Sequence, residues 1–290
     1  MRGGQHQVLL LLKGMREEGH ECMLLARRER PLWSAGIGAG FRVRFANVKE
    51  VWRNSKEVDM VHAHDARAHA IAAALCRRGF VVSRRTAFPV KRSFASAWKY
   101  NRAARFLAVS SFVSMELQSA GVSPDKIDVV YDGVEPALNR TEWRPSHPAV
   151  ALASSDPQKG RDLVEKAARI SGLRVIYSED LPRDLREASV FVYITRSEGL
   201  GSAALLAMNM GVPVVASCIG GLREVFVDGV SGVFVKNEPD DIARAMRSVI
   251  EEPAWACSLI EQGRARIQER FTKQHLVRGT LASYERALAG

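Results

Sequence analysis

The residues best suited to chemistry in this 290-residue chain sit in glycine-rich turns. Ser197-Glu198-Gly199-Leu200-Gly201-Ser202 leads into a helix-like stretch, and Gly220-Gly221 follows the apolar run Val212-Pro213-Val214-Val215-Ala216. Glycine lets backbone amides approach a ligand closely, and N–H groups at a helix start favour an anion such as a diphosphate. Glu198, at the mouth of the first turn, can accept hydrogen bonds from sugar hydroxyls. Lys159-Gly160 stands before another helix-like stretch, where a lysine supplies a point charge for phosphate. On residue type alone, a tight strand-to-helix turn accounts equally well for Gly199 and Gly201, and a solvated helix start for Lys159.

Three further places carry candidates. His64 closes an apolar run at 59–63, at the kind of edge where open parallel sheets hold ligands, and serves there either as a substrate contact or as a structural residue. Arg84 and Arg85 end a second run, where guanidinium groups pair with phosphate or carboxylate or form a solvated basic edge. Gly3-Gly4-Gln5 reads as the turn after a first strand, although no strand precedes it. Cys22, Cys76, Cys218 and Cys257 are scattered, with no His cluster at ligand spacing, so reduced thiols and no metal site are expected.

These residues need a frame, and the hydrophobic pattern supplies one. Short apolar runs at 22–26, 60–63, 106–109, 127–131, 150–153, 190–194 and 212–216 alternate with amphipathic stretches at 5–18, 66–78, 111–120, 161–171 and 201–210. That alternation predicts α/β architecture with parallel sheets, as two doubly wound units in tandem. The proline-bearing segment 135–148 marks the linker, giving domains 1–140 and 141–290, with a wholly helical stretch after Asp240 that closes the second and can pack back on the first. The first domain is expected to lack its first strand.

The net charge of +10 is unevenly placed: residues 1–145 hold 24 Lys+Arg against 14 Asp+Glu, and residues 146–290 hold 18 of each. Such a field attracts an anionic membrane surface or an acidic substrate. Nucleic acid is not expected as a partner, because no recognition motif or aromatic platform accompanies the basic residues. No apolar stretch has the ~18 residues a membrane span requires, and the run at 8–12 is too short for a signal-peptide core, so a cytoplasmic protein is expected, with peripheral association at the inner membrane face.

The glycine-turn block resembles the donor-site signature of family 4, group 1 retaining glycosyltransferases of the GT-B fold. Gly3-Gly4, the run ending at His64, Ala108-Val109-Ser110, Val130-Tyr131-Asp132-Gly133-Val134, Lys159-Gly160 and Asp228-Gly229 follow in the family's order. The resemblance implies two Rossmann-like domains facing a cleft, the second binding a nucleoside diphosphate sugar and the first a glycan or glycolipid acceptor. It implies no cofactor and no metal. By position, it gives Glu198, Lys159 and His64 catalytic roles and assigns donor contacts to Gly199, Leu200, Gly201, Ser202, Gly160, Gly3 and Gly4. Arg84 and Arg85 are left as acceptor or phosphate contacts.

The chain also departs from that pattern. The family's second glutamate, eight positions after Glu198, is Leu206, and the arginine five before Lys159 is Ser154. Arg85 falls where the family commonly has a histidine, and the stretch 173–185 is short for the strand and helix expected there. A non-catalytic scaffold subunit of a polysaccharide assembly is therefore the alternative to a transferase, and a sugar-nucleotide epimerase of the same fold is the third reading.

Overall fold

The computed structural model describes residues 3–88, 93–136 and 142–289. The chain divides into two compact units, Met1–Gly133 with Lys273–Gly290, and Val134–Thr272. Part of the expected linker, at 137–141, lies outside the described residues.

Unit 1 runs α1 (Gly3–Glu17), β1 (Met23–Ala26), α2 (Pro31–Gly38), β2 (Arg42–Phe45), α3 (Val48–Asn54), β3 (Val61–Ala63), α4 (Ala66–Leu75), β4 (Phe80–Arg84), α5 (Phe94–Arg102), β5 (Arg105–Ala108), α6 (Ser111–Ser119) and β6 (Ile127–Val129). Its strands form a parallel pair β1-β2 and a parallel sheet β3-β4-β5-β6. Among the described residues no strand joins β1 to β3. Helix α1 packs on both sheets: Val8 and Leu12 meet Leu24, Trp33 and Val43, while Leu11 and Met15 join Val81, Leu107 and Val130. Side chains capping first-turn amides start the helices that follow β3 and β5, Asp65 on Ala68 N at 2.7 Å and Ser110 on Val113 N at 3.1 Å.

Unit 2 runs β7 (Ala149–Leu152), α7 (Arg161–Ser171), β8 (Val175–Ser178), α8 (Leu181–Asp184), β9 (Val190–Tyr193), α9 (Ser202–Met210), β10 (Val214–Ser217), α10 (Leu222–Val225), β11 (Val233–Val235), α11 (Pro239–Glu251) and α12 (Pro253–Arg270). The parallel sheet has the order β11-β10-β9-β7-β8. Central strands β9 and β10 are buried throughout, as expected for strands covered on both faces. Ala149, Val192, Val215, Ile242 and Met246 belong to one core with Val164 and Ala167 of α7.

Two expectations need correction. The stretch 173–185 is not too short, because β8 and α8 both fit in it, as elements of four residues each. The bound 141–290 also changes: α13 (Lys273–Ala289) belongs to unit 1, the packing back on the first domain that the sequence allowed, with Leu276 and Val277 in the core formed by Leu11, Val81 and Leu107.

Candidate functional site

In unit 2 the glycine turns converge on one carboxylate. After β7 the chain makes a single 3-10 turn, Pro157–Lys159, held by Asp156 accepting from Gln158 N at 2.9 Å. Gly160 then takes φ 57 to enter α7. The Gln158 carbonyl accepts from Arg196 N at 2.7 Å and from Thr195 Oγ1 at 3.0 Å, which binds this turn to the loop after β9. Thr195 is itself pinned from below: its N–H donates to Ser217 Oγ at 2.9 Å, and its carbonyl accepts from Asn237 Nδ2 at 3.0 Å.

That scaffold sets Lys159 Nζ 2.9 Å from Glu198 Oε2. Glu198 Oε1 accepts from Gly199 N at 3.1 Å, the Tyr193 hydroxyl donates to Oε2, and the Glu198 carbonyl accepts from Gly221 N at 3.1 Å. Both glycine turns and the lysine thus meet at Glu198, beyond the C-terminal ends of β7, β9 and β10, the edge where parallel sheets bind ligands. Burial pushes the Tyr193 phenol well above its ordinary value, and the Glu198 charge pushes it further, so Tyr193 acts only as a neutral donor. The side chains of Lys159 and Glu198 keep 27% and 16% of their exposure, enough for a ligand to reach them.

Gly160 and Gly201 have no room for a side chain. A Cβ on Gly160 would lie 2.6 Å from Ile194 Cγ2, and one on Gly201, at φ 110, would lie 2.5 Å from Leu222 Cδ2. Leu200 is buried and packs the loop, whereas Ser202 begins α9 and is half-buried. Leu206, one turn along α9, is half-buried where the family pattern has its second glutamate. Ser154 accepts a backbone hydrogen bond from Asp156 N at 3.2 Å and brings no charge.

A second cluster stands in unit 1. Arg85 Nε donates to the buried Asp132 at 3.0 Å, and its Nη1 lies 3.1 Å from His64 Nδ1. Arginine has no acceptor, so Nδ1 must be the acceptor here and Nε2 must carry the proton. Burial, with His62 and Arg85 adding to it, holds the His64 imidazole well below its ordinary pKa. His64 is therefore a neutral ring whose Nε2–H donates. Gln7 of α1 donates to the Gly133 carbonyl at 2.9 Å and accepts from Gly133 N at 3.0 Å, which fixes the loop bearing Asp132. A Cβ on Gly4 would lie 3.9 Å from Arg85 Cδ, so Gly4 belongs to this cluster, while Gly3 begins α1 and is exposed. Arg84 turns elsewhere, donating to the Phe88 carbonyl at 2.5 Å.

The sequence brought Lys159, Glu198 and His64 forward and showed Asp132 only within a family-like segment, with no role, and it gave no sign of Tyr193, Thr195 or Asn237. Their roles come from contacts across the sheet edges.

The family model for glycosyl transferases group 1 matches residues 121–252, and that for glycosyltransferase family 4 matches residues 1–138. The chain belongs to the family 4, group 1 glycosyltransferases. HepE of Anabaena, determined in complex with UDP and glucose, is similar over 98% of this chain and 96% of its own, with a TM-score of 0.84 and 16% identity. At that identity the likeness establishes the GT-B fold, two Rossmann-like domains. The D-inositol 3-phosphate glycosyltransferase of Nocardiopsis dassonvillei is 43% identical over 75 residues, 26% of this chain and 18% of the relative. The Vi polysaccharide biosynthesis protein VipC/TviE of Salmonella typhi is 29% identical over 140 residues, 45% of this chain and 24% of the relative. In both cases the match spans a quarter or less of the relative's own length. Among the described residues, no helix is long and apolar enough to cross a membrane, and no cluster of His, Cys, Asp and Glu suits a metal ion.

Proposed function

We propose that this protein transfers a glycosyl group from a nucleoside diphosphate sugar to a glycan or glycolipid acceptor, with retention of anomeric configuration. The observation that carries the reading is the Lys159–Glu198 pair at 2.9 Å, set where two glycine turns meet beyond the parallel strands of unit 2. Glu198 accepts hydrogen bonds from the donor sugar, and the backbone at 199–201 approaches the sugar and diphosphate without side-chain obstruction. Lys159 neutralises the diphosphate, which gains negative charge as the glycosidic bond breaks, so its attraction is strongest in the transition state. The diphosphate oxygen takes the proton of the attacking acceptor hydroxyl, and neither a protein nucleophile nor a metal cofactor is called for.

In unit 1, His64 offers Nε2–H to a substrate oxygen, and Arg85, in the position where the family commonly has histidine, holds it in that tautomer. The UDP in the HepE complex makes uridine diphosphate sugars the first donors to try, and the Vi polysaccharide relative points to a surface polysaccharide acceptor. A non-catalytic scaffold is the second reading, favoured by Leu206 and Ser154, which remove one carboxylate and one cation from the donor site.

The test is thermal-shift and turnover measurement against a panel of nucleoside diphosphate sugars. Selective stabilisation with sugar release or transfer is expected, and Lys159→Ala and Glu198→Ala should each lower the rate by about two orders of magnitude with the fold intact. Binding without turnover on any acceptor supports the scaffold, and a wild-type chain that binds no sugar nucleotide sinks the reading.

A further inference from the structure

The excess charge of the chain is concentrated in one segment. Residues 66–115 hold ten Lys+Arg and no Asp or Glu; the whole chain carries 42 Lys+Arg against 32 Asp+Glu, so the remainder is balanced. A field confined in this way favours an anionic partner at that segment. The same segment holds the most exposed large apolar side chain among the described residues. Phe94, at the start of α5, keeps 91% of its exposure, whereas the other large exposed hydrophobics keep 60% or less.

Helix α5 has its faces reversed for a helix in water. Phe94, Ala97 and Trp98 stand at i, i+3 and i+4, the spacing of an apolar stripe that ordinarily faces a core, yet all three are exposed. The inward side is the more polar one: Tyr100 is buried against Phe106 and His69, with ring centroids 5.3 and 4.9 Å away, and Ser96 and Lys99 are half-buried. Both ends of the helix are fixed. Ser93 caps the first turn by accepting from Ser96 N at 3.1 Å, and Arg102 donates to the Ala73 and Cys76 carbonyls at the end of α4, at 3.3 and 2.7 Å. The outward stripe is therefore set by packing and capping. Phe88, just past β4, adds a third exposed ring.

Cations flank the rings. Burial lowers the Lys99 pKa, and the Arg84 charge at the end of β4 lowers it further, so the two cations stand close together. Arg102 is exposed at the far end of the helix, and Lys91 and Arg92, outside the described residues, precede it in sequence. A soluble polyanion would satisfy these charges and leave Phe94 in water, and a second copy of the chain would bring its own ten cations against them. A bilayer with anionic headgroups satisfies both, because aromatic rings settle at the headgroup level while Lys and Arg reach the lipid phosphates. The connection from β4 to α5 leaves the C-terminal edge of the sheet, the edge that carries His64 and Arg85, so the surface borders the side on which unit 1 takes ligands.

We propose that Phe88, Phe94 and Trp98, with Arg84, Lys99 and Arg102, form a surface that docks unit 1 onto a bilayer with anionic headgroups. Docking needs no nucleotide sugar, so it goes beyond the glycosyl-transfer reading and stands without it.

The probe is vesicles of phosphatidylcholine with and without phosphatidylglycerol, sedimented with the full chain. Retention is expected on the vesicles that contain phosphatidylglycerol, falling as salt rises, with little on phosphatidylcholine alone. Phe94→Ala removes a ring that touches little of the fold, so the melting temperature should hold while partitioning to the vesicles drops about fivefold or more. Ile170→Ala, an exposed apolar residue of the other unit, should leave partitioning unchanged. Brominated acyl chains should quench the tryptophan emission of the bound wild type, and Trp98→Phe, which keeps an apolar ring, should stay bound and lose most of that quenching. Salt-sensitive retention that Phe94→Ala does not weaken would leave only a basic surface and overturn the proposal, as would a wild type that no vesicle retains, or quenching that Trp98→Phe leaves intact. Self-association abolished by Phe94→Ala, in a chain without vesicle retention, would give the surface to a second copy instead. UDP titrated into the same samples reports on the donor site separately: retention on vesicles with no UDP bound would end the transferase reading and leave the docking surface standing, and UDP bound without retention would do the reverse.

Discussion

Glu198 shows how far a single residue can be read. Its type and its place before Gly199 and Gly201 suggest a sugar contact, and those features are local in sequence. What holds it is not local: Lys159 is 39 positions away, and the Tyr193 hydroxyl reaches it from the end of a strand that reads as apolar core. Arg85 is similar, since its sequence position suggests a free cation while Asp132, 47 positions on, claims its Nε. Residue type is legible in a sequence, but the partner that fixes tautomer, charge or orientation is set by packing. Tyr193 gives a prediction at this scale. Tyr193→Phe removes one donor to Glu198 and keeps the ring in its buried site, and a hydrogen bond to a charged group is worth about 1.5–3 kcal/mol. Affinity for the donor nucleotide sugar should fall roughly tenfold or more, with the melting temperature nearly unchanged; calorimetric titration beside a thermal melt checks both. A variant that loses stability but keeps affinity would make Tyr193 a packing residue only.

At the scale of elements, the alternation of apolar runs with amphipathic stretches gave most strands of the three sheets within a residue or two. β2 escaped because Arg42-Val43-Arg44-Phe45 alternates charge with apolar residues at an exposed sheet edge, and β8 because its residues are mostly half-buried. The turns between elements carry the geometry of the donor site, and they are where substitution should cost most. Gly160→Ala would force alanine to φ 57 and set its Cβ 2.6 Å from Ile194 Cγ2 and 3.2 Å from the Ile194 carbonyl oxygen. Left-handed backbone costs about 1–2 kcal/mol and overpacking about 1–3 kcal/mol, so a loss of roughly 2–5 kcal/mol is expected. Gly172→Ala, at φ 71 with nothing within 4 Å of the added Cβ, bears the backbone cost alone and serves as the control. Denaturant midpoints for the two variants should differ by the overpacking contribution. Equal midpoints would show that Ile194 gives way and that the turn is not tightly packed.

On the scale of the whole molecule, the C-terminal helix is where the sequence stops short. The spacing of Leu276, Val277 and Leu281 announces a helix but not which core receives it, and α13 joins the core of unit 1, more than 260 residues away from Leu11 and Met15 in the chain. Its Ser283 and Arg286 also bond Asp128, beside Arg105. Burial raises the Asp128 carboxyl, but the hydrogen bonds from Arg105 and Ser283 and the Arg286 charge outweigh it and bring it below its ordinary value. Unit 1 also contains three histidines kept neutral. Burial, with Arg85 adding to it, takes His62 down to about 3; His64 is well below its ordinary value; and burial beside Lys99 takes His69 to about 4. The sign follows from proton uptake. Below about pH 6.5 the unfolded chain protonates these rings and the folded unit does not, so their contribution is complete above that value and drains away as pH falls toward the folded pKa values. Each ring contributes a slope of about 1.4 kcal/mol per pH unit, up to about 4 kcal/mol per unit for the three, and Asp128 adds its own loss as pH falls through its lowered folded pKa. Unit 2 has no fully buried histidine among the described residues. Calorimetric scans between about pH 7 and pH 5 should therefore show the unit 1 transition falling well ahead of the unit 2 transition, with hydrogen exchange in β3–β5 and in β9–β10 assigning the two. His69→Gln should flatten the slope for unit 1 by about a third, because it removes one of three titrating rings. Transitions that fall together, or a slope unmoved by His69→Gln, would show that acid acts through groups other than these histidines.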